Sequence, residues 1–128
     1  MPRKLLVAIV DDDALMRATT KDLLESAGFV AATFASAEAL LSSRRLKRLA
    51  CVIADMRMPG MTGLELHQRL LASTYRVPTI LMSAYLNERV RAAARKARVT
   101  CCLGKPYSAQ DLLACVRTAI SSGNRGNR

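Results

Sequence analysis

The chain has no tryptophan, three tyrosines, two phenylalanines and a single histidine among its 128 residues. Proteins that bind single-stranded nucleic acid without reading its sequence stack bases on aromatic rings, and 4% aromatics leaves few to offer. Long apolar runs are missing too. Leu5–Val10, the longest near the start, is six residues, whereas a membrane-spanning helix needs roughly 20. Arg3 and Lys4 before that run imitate a secretory leader, but Asp11, Asp12 and Asp13 cut it short and no cleavage pattern follows. A cytoplasmic location with no membrane partner is the resulting expectation. Acidic residues are scarce, 10 against 20 lysines and arginines, for a formal charge of +10. Such an imbalance favours an acidic partner and is silent about the fold. The four cysteines, Cys51, Cys101, Cys102 and Cys115, lack the paired spacing of a zinc site. Cys101 and Cys102, adjacent on an extended segment, would point to opposite faces. All four are read as buried, reduced small hydrophobes.

What is present is ordinary globular material, 51% hydrophobic and 23% charged. The length suits one domain, expected over residues 4–121, with 122–128 as a flexible basic tail. Apolar runs at Leu5–Val10, Cys51–Ala54, Thr79–Met82 and Thr100–Leu103, with a weaker one at Val30–Phe34, suit strands buried on both faces of a parallel sheet. Helical spacing lies between them. Met16, Thr20, Leu23, Leu24 and Ala27 share one face before Gly28 ends the helix, and Leu112, Leu113, Val116, Ala119 and Ile120 repeat the pattern. Thr62 with Glu65, and Ser108 with Asp111, suit capping boxes, while Ser36 and Asn87 suit simple N-caps. Parallel neighbours require crossover helices. The prediction is an α/β fold, a doubly wound domain of five parallel strands alternating with five helices.

In such sheets the functional crevice lies at the carboxyl ends of the strands. Asp11 and Asp12 follow the first strand, Asp55 the third, Ser83 the fourth and Lys105 the fifth. Three carboxylates drawn to one rim repel one another unless a cation sits among them. Oxygen ligands of this kind suit Mg²⁺, with Lys105 as a second positive charge and Ser83 as a hydrogen-bonding group for an incoming anion. Asp13 suits a helix N-terminus better than a ligand role. His67 has no second ligand in sequence reach, so it is read as a partly buried structural histidine.

The segments IVDDD (Ile9–Asp13), ADMRMPGMTGLEL (Ala54–Leu66), TILMSAY (Thr79–Tyr85) and LGKPY (Leu103–Tyr107) resemble, in order and position, the receiver domains of two-component response regulators. The resemblance implies a CheY-like α/β fold, three layers α/β/α around a (βα)5 five-stranded parallel sheet in the order 2-1-3-4-5, and FASAEALL with RMPGMTG most resembles the nitrogen-fixation and LuxR-type regulators. The resemblance implies that Asp55 is the phosphoacceptor, attacking in line the phosphorus of a phosphohistidine or small acyl phosphate. Asp11, Asp12, Asp55 and the backbone carbonyl of Arg57 would hold Mg²⁺, while Ser83 and Lys105 contact the phosphoryl group. It further implies a signalling domain rather than an enzyme, with Mg²⁺-dependent autophosphorylation and slow autodephosphorylation. A sensor histidine kinase or histidine phosphotransfer protein would be the donor.

Three positions depart from the family pattern. Cys102, three residues before Lys105, stands where the family has the Tyr or Phe that changes exposure on activation. Tyr85, two residues after Ser83, and Arg57, two after Asp55, would restrict water and slow dephosphorylation. Arg98 stands where similar regulators have a Gly before the last strand. On the fourth helix, Arg91, Arg95 and Arg98 share one side and Arg89 and Lys96 another, with Val90, Ala93, Ala94 and Ala97 facing the core. This basic face is the candidate surface for a downstream protein target of acidic character, with direct nucleic-acid binding disfavoured. The eight residues after Ile120 cannot hold a helix-turn-helix. A stand-alone receiver, monomeric or dimerising on phosphorylation, is therefore expected. The alternatives are the receiver fragment of a DNA-binding regulator, or a nucleic-acid binder controlled by phosphorylation.

Overall fold

A computed structural model describes residues 4–126. Five strands, β1 (Leu6–Val10), β2 (Val30–Phe34), β3 (Leu49–Asp55), β4 (Thr79–Ser83) and β5 (Cys101–Gly104), alternate with five helices. The helices are α1 (Ala14–Ser26), α2 (Ala37–Leu41), α3 (Gly63–Ala72), α4 (Glu88–Lys96) and α5 (Ala109–Gly126), with a short 3-10 turn at Leu46–Arg48. All pairings are parallel, in the order β2-β1-β3-β4-β5.

Alternation along the central strands divides the core in two, because successive side chains of a strand leave opposite faces. Ala8, Val10, Val52 and Leu81 pack with Leu40, Leu66 and Leu70 on the α2–α3 side. Val7, Ile9, Ile53 and Ile80 pack with Leu24, Leu112 and Val116 on the α1–α5 side. Cys101 joins the second cluster and Cys102 the first, on opposite faces as adjacency demands. All four cysteines are free, but only Cys51 is fully buried; the other three are half-buried on the edge strand and α5. Edge strand β5 has a neighbour on one side only, so burial there is incomplete.

Two boundaries differ from the sequence-based ones by more than one residue. β3 starts at Leu49, because Leu6 pairs with Leu49 across an irregularity in the β1 register. α5 continues to Gly126, so residues 122–126 of the expected tail are helical, and Asn127 and Arg128 lie outside the described residues. A helix once nucleated propagates through backbone bonds alone, so a polar composition does not by itself end it.

The helix ends follow their side chains. Ser36 accepts from the Ala39 N–H, Asn87 from Val90, and Thr62 with Glu65 forms a complete capping box. Ser108 accepts from the Asp111 N–H. α1 ends in a Schellman motif, with Gly28 N–H donating to Glu25 O, Phe29 N–H to Leu24 O, and Gly28 at φ +97°. α4 ends the same way, through Arg98 N–H to Arg95 O and Val99 N–H to Ala94 O, but its left-handed residue is Arg98 at φ +62°. The departure from glycine thus leaves the turn geometry intact and places strain on a side-chain-bearing residue. Left-handed backbone costs such a residue roughly 1–2 kcal/mol, while glycine brings greater entropy loss on folding. Arg98→Gly is therefore expected to stabilise the fold by about 1 kcal/mol, measured as a rise in urea midpoint at constant slope. An unchanged or lowered midpoint would show that the Arg98 side chain offsets the strain by packing.

Candidate functional site

Three loops at the carboxyl ends of β1, β3 and β5 bring the charged residues together. Asp11 is fully buried and accepts from the Asp13 N–H at 2.9 Å. Asp13 turns the other way and caps α1, accepting from Leu15 and Met16, so its role is that of an N-cap. Asp55 closes β3 and accepts from the Arg57 N–H at 3.3 Å, which draws the Arg57 backbone alongside the carboxylate. Lys105, after β5, bridges both acids: Nζ lies 3.2 Å from Asp11 Oδ2 and 3.0 Å from Asp55 Oδ2. The Lys105–Pro106 peptide bond is cis.

Asp11, Asp12 and Asp55 each offer an oxygen within 4.8 Å of the others. Burial raises the pKa of Asp11, against the lowering effects of the Asp13 N–H and the Lys105 charge. Burial acts to lower the pKa of Lys105, but its hydrogen bond to Asp55 and the charges of both acids outweigh it, so the net shift is upward and the ammonium form is held. Two of the three carboxylates thus share one ammonium, and Asp12 is left facing solvent. A donor set of three close carboxylates, one exposed, fits a hard divalent cation. Asp12→Asn is expected to raise the melting temperature of the metal-free protein by a few degrees, because it removes like-charge repulsion from the cluster. The same change should shrink the additional rise on adding Mg²⁺. A lowered metal-free melting temperature would mean that Asp12 is a net stabilising group.

Ser83, 3% exposed, ends β4 on the same rim. Its Oγ accepts from the Tyr85 N–H at 3.2 Å, and its carbonyl accepts from the Lys105 N–H at 2.8 Å. The hydroxyl is therefore tied to the loop carrying Tyr85, and its backbone to the residue carrying the ammonium. Tyr85 is 67% exposed, and the Arg57 guanidinium lies 5.5 Å from the centroid of its ring. The two residues expected to restrict water thus form one cation–π pair.

Several supports are absent from the sequence-based reading. Arg17, one turn after Asp13 on α1, donates from Nη1 to the Asp11 carbonyl at 2.6 Å. Buried Thr20 hydrogen-bonds the Tyr107 hydroxyl at 2.8 Å, tying α1 to the segment after Lys105. Glu38 of α2 accepts from the Met61 N–H and braces the loop after β3. Gly63 opens α3 directly against the Asp55 carbonyl, where a Cβ would overlap the oxygen. The helical spacing of Arg17 from Asp13 was a usable signal; the Thr20–Tyr107 and Glu38–Met61 contacts span 87 and 23 positions and left none. His67 is 2% exposed rather than partly buried, because the end of α4 lies against the face of α3 that carries it. Its Nε2 bonds the Ala97 carbonyl at 2.6 Å, holding those two helices together.

Arg89, Arg91, Arg95, Lys96 and Arg98 are all exposed, with Ala94 buried and Val90, Ala93 and Ala97 half-buried beneath. Arg95 is paired with Glu88 at 2.7 Å, which removes part of its charge from that face. Cys102 sits half-buried between Cys101 and Leu103, a side chain too small to swing between pocket and solvent as a ring would.

Residues 7–117 match the family model described as the response regulator receiver domain. Among curated proteins, the chain is 34% identical over 114 residues to the transcriptional regulatory protein FixJ of Bradyrhizobium diazoefficiens, covering 89% of this chain and 56% of that one. It is 36% identical over 115 residues to the transcriptional regulatory protein TdiR of Thauera aromatica, covering 90% and 51%. The chain therefore spans about half the length of these relatives. The solved response regulator StyR superposes with a TM-score of 0.85 at 35% identity, over 98% of this chain and 63% of that one. The Vibrio cholerae chemotaxis protein CheY4, at 23% identity and a TM-score of 0.84 over 91% and 99%, shares the fold.

Proposed function

The chain belongs to the response regulator receiver family of two-component systems, and from that premise we propose that Asp55 is its phosphoacceptor. The observation that carries this reading is the Lys105 ammonium held between Asp55 and Asp11 at 3.0 and 3.2 Å, on the rim that also carries Asp12 and Ser83. An Asp55 carboxylate oxygen would attack the phosphorus of a phosphohistidine on a sensor kinase or phosphotransfer protein. The new P–O bond forms as the P–N bond breaks, and the electron pair leaves with the imidazole. Lys105 would balance charge on the transferring oxygens, and Ser83 would donate a hydrogen bond to one of them. Asp11, Asp12, Asp55 and the Arg57 carbonyl would hold Mg²⁺, which when bound supplies the remaining positive charge. Such phosphotransfer is a signalling step in the cytoplasm, and no helix among the described residues is long and apolar enough to cross a membrane.

The test is incubation with acetyl phosphate and Mg²⁺, followed by intact-mass and acid–base lability measurements. One phosphoryl group, stable in mild acid and lost in hydroxylamine, is the expected product. No uptake from acetyl phosphate or from any phosphorylated kinase would overturn the reading.

The Arg57–Tyr85 pair, on the residues two after Asp55 and two after Ser83, would restrict water at the aspartyl phosphate and slow autodephosphorylation; their 5.5 Å cation–π contact supports this. Tyr85→Ala is expected to shorten the phosphoryl lifetime several-fold, read from decay after removal of donor. An unchanged lifetime would sink that role. With Cys102 in place of a ring, the signal would leave through the Ser83–Tyr85 and Ser83–Lys105 backbone links, biasing the adjacent loops. The exposed arginines and lysine of α4 (Arg89, Arg91, Arg95, Lys96 and Arg98) would then receive an acidic protein target.

A second reading is favoured by the relatives. FixJ and TdiR are named as transcriptional regulators and are about twice the length matched. On that reading the chain is the receiver part of a DNA-binding regulator. An immunoblot of the native protein distinguishes the two, a band far heavier than this chain supporting the second.

A further inference from the structure

The strand edge farthest from β5 carries a second cluster of charge. β2 pairs with β1 alone. At its two ends Val30 N–H donates to Leu5 O and Phe34 O accepts from Asp11 N–H. In a parallel ladder the residues alternate in direction, so Val30, Ala32 and Phe34 turn their N–H and C=O toward β1. Ala31 and Thr33 turn theirs outward. Among the described residues, no hydrogen bond from another element reaches the main chain of either.

These outward groups line a groove of about 520 Å³ along the β2 edge. Lys21 of α1 borders it on one face of the sheet, and Arg44 and Arg45, after α2, on the other. Through Arg45 the groove meets a second hollow of about 640 Å³ at the amino ends of β1 and β2, bordered by Lys4, Lys47 and Arg48. No carboxylate lines either hollow. Among the described residues, none of these six cations is in a salt bridge. The basic excess that composition could only count is thus concentrated in part along an open strand edge, at the rim opposite the phosphoacceptor in the case of Lys4, Lys47 and Arg48.

An unpaired strand edge recruits another strand, and natural proteins guard such edges with lysine and arginine against uncontrolled pairing. The same cations make the edge selective. Strand addition supplies affinity through the main chain, and flanking side chains supply specificity. Cations on both faces of the sheet favour a strand with carboxylates on both of its faces, meaning consecutive acids rather than alternating ones. We propose that the β2 edge binds an extended acidic peptide segment of a partner protein, added as a sixth strand beside Ala31 and Thr33 and held by Lys21, Arg44 and Arg45. Duplex nucleic acid fits the charge but has no use for in-plane N–H and C=O groups spaced along a strand. The inference stands apart from the phosphoacceptor reading and uses none of its residues.

The probe is an acetylated and amidated heptaglutamate peptide, titrated into the full chain at low salt and followed by amide chemical shifts and hydrogen exchange. The expected result is shift changes and slowed exchange at Ala31 and Thr33, with binding that weakens steeply as salt is raised. Arg44→Ser with Arg45→Ser should weaken it at least about tenfold, as expected for losing two charge-assisted contacts. These residues are exposed, and an unchanged circular dichroism spectrum would verify the fold. A heptaglutamate N-methylated across its central amides keeps the charge but cannot pair, and should also bind at least about tenfold more weakly. Equal binding of the methylated peptide would overturn strand addition. So would tighter binding of a duplex oligonucleotide at the same residues, or no shift at Ala31 and Thr33 at millimolar peptide.

Discussion

Asp55→Asn is expected to lower phosphoryl uptake from acetyl phosphate on the order of a thousandfold or more, since it removes the nucleophilic oxygen itself. The exchange is nearly isosteric, so the fold should survive. The carboxamide oxygen of the variant could still accept from the Arg57 N–H, which bonds Asp55 Oδ1 at 3.3 Å, and Lys105 would keep its Asp11 partner at 3.2 Å. The loss should therefore appear in chemistry and not in stability, and far-UV circular dichroism with a thermal melt separates the two. Removing one of three crowded carboxylates also relieves repulsion, so the melting temperature is expected to hold or rise slightly even though Lys105 loses one partner. Mass spectrometry of the intact variant after incubation with acetyl phosphate is the direct check. If Asp55→Asn still takes up one phosphoryl group at a comparable rate, the acceptor is another residue. Asp12, within 4.8 Å and exposed, would then be the first to test.

Gly63→Ala is expected to destabilise the domain by about 3 kcal/mol, at the upper end of what overpacking usually costs. The added Cβ would overlap the Asp55 carbonyl oxygen and lie 3.0 Å from Leu81 Cδ2. The obstacle is backbone at the end of β3, which cannot rotate away as a flexible side chain can. Relief requires the start of α3 to move off the strand, which would weaken the Gly63 N–H bond to the Met56 carbonyl. A fall in melting temperature of roughly 10–15 °C is expected, along with slower phosphoryl uptake, because Asp55 sits on the displaced strand end. Gly28→Ala is the comparison: its φ of +97° carries a conformational penalty, but no atom lies within 4 Å of an added Cβ. Gly63→Ala should be the worse of the two by denaturant unfolding, and the reverse order would show that α3 can yield at little cost.

The legible parts of the chain were those in which one short segment carries its own physics. Apolar runs named all five strands, because strands covered on both faces must be apolar throughout. Thr62–Glu65 could be read as a capping box because both of its bonds close within four residues. The position of the acids and of Lys105 at strand ends followed from strand boundaries alone. Less legible were features set by partners far along the chain. The β3 start at Leu49 depends on its register against Leu6. The full burial of His67 depends on the end of α4, thirty positions away. The Thr20–Tyr107 and Glu38–Met61 bonds left no local trace in the sequence.

Charge shows the division most sharply. Composition established that this chain is basic, and setting aside Asp11, Asp12, Asp55 and Lys105 makes the remainder more basic still. Periodicity along α4 drew attention to one basic face, since helical neighbours recur every three to four residues. It could not show that Lys4, Lys21, Arg44, Arg45, Lys47 and Arg48 border two hollows along β2 that share Arg45, because they come from the approach to β1, from α1 and from the segment after α2. By itself the sequence determined which segments are strands and helices, and which polar groups end them, because those depend on bonds and burial within a few residues. The tertiary structure alone decided how near Lys105 comes to two carboxylates and which edge of the sheet lies open between cations. Those depend on strand order and on how closely the layers pack around it.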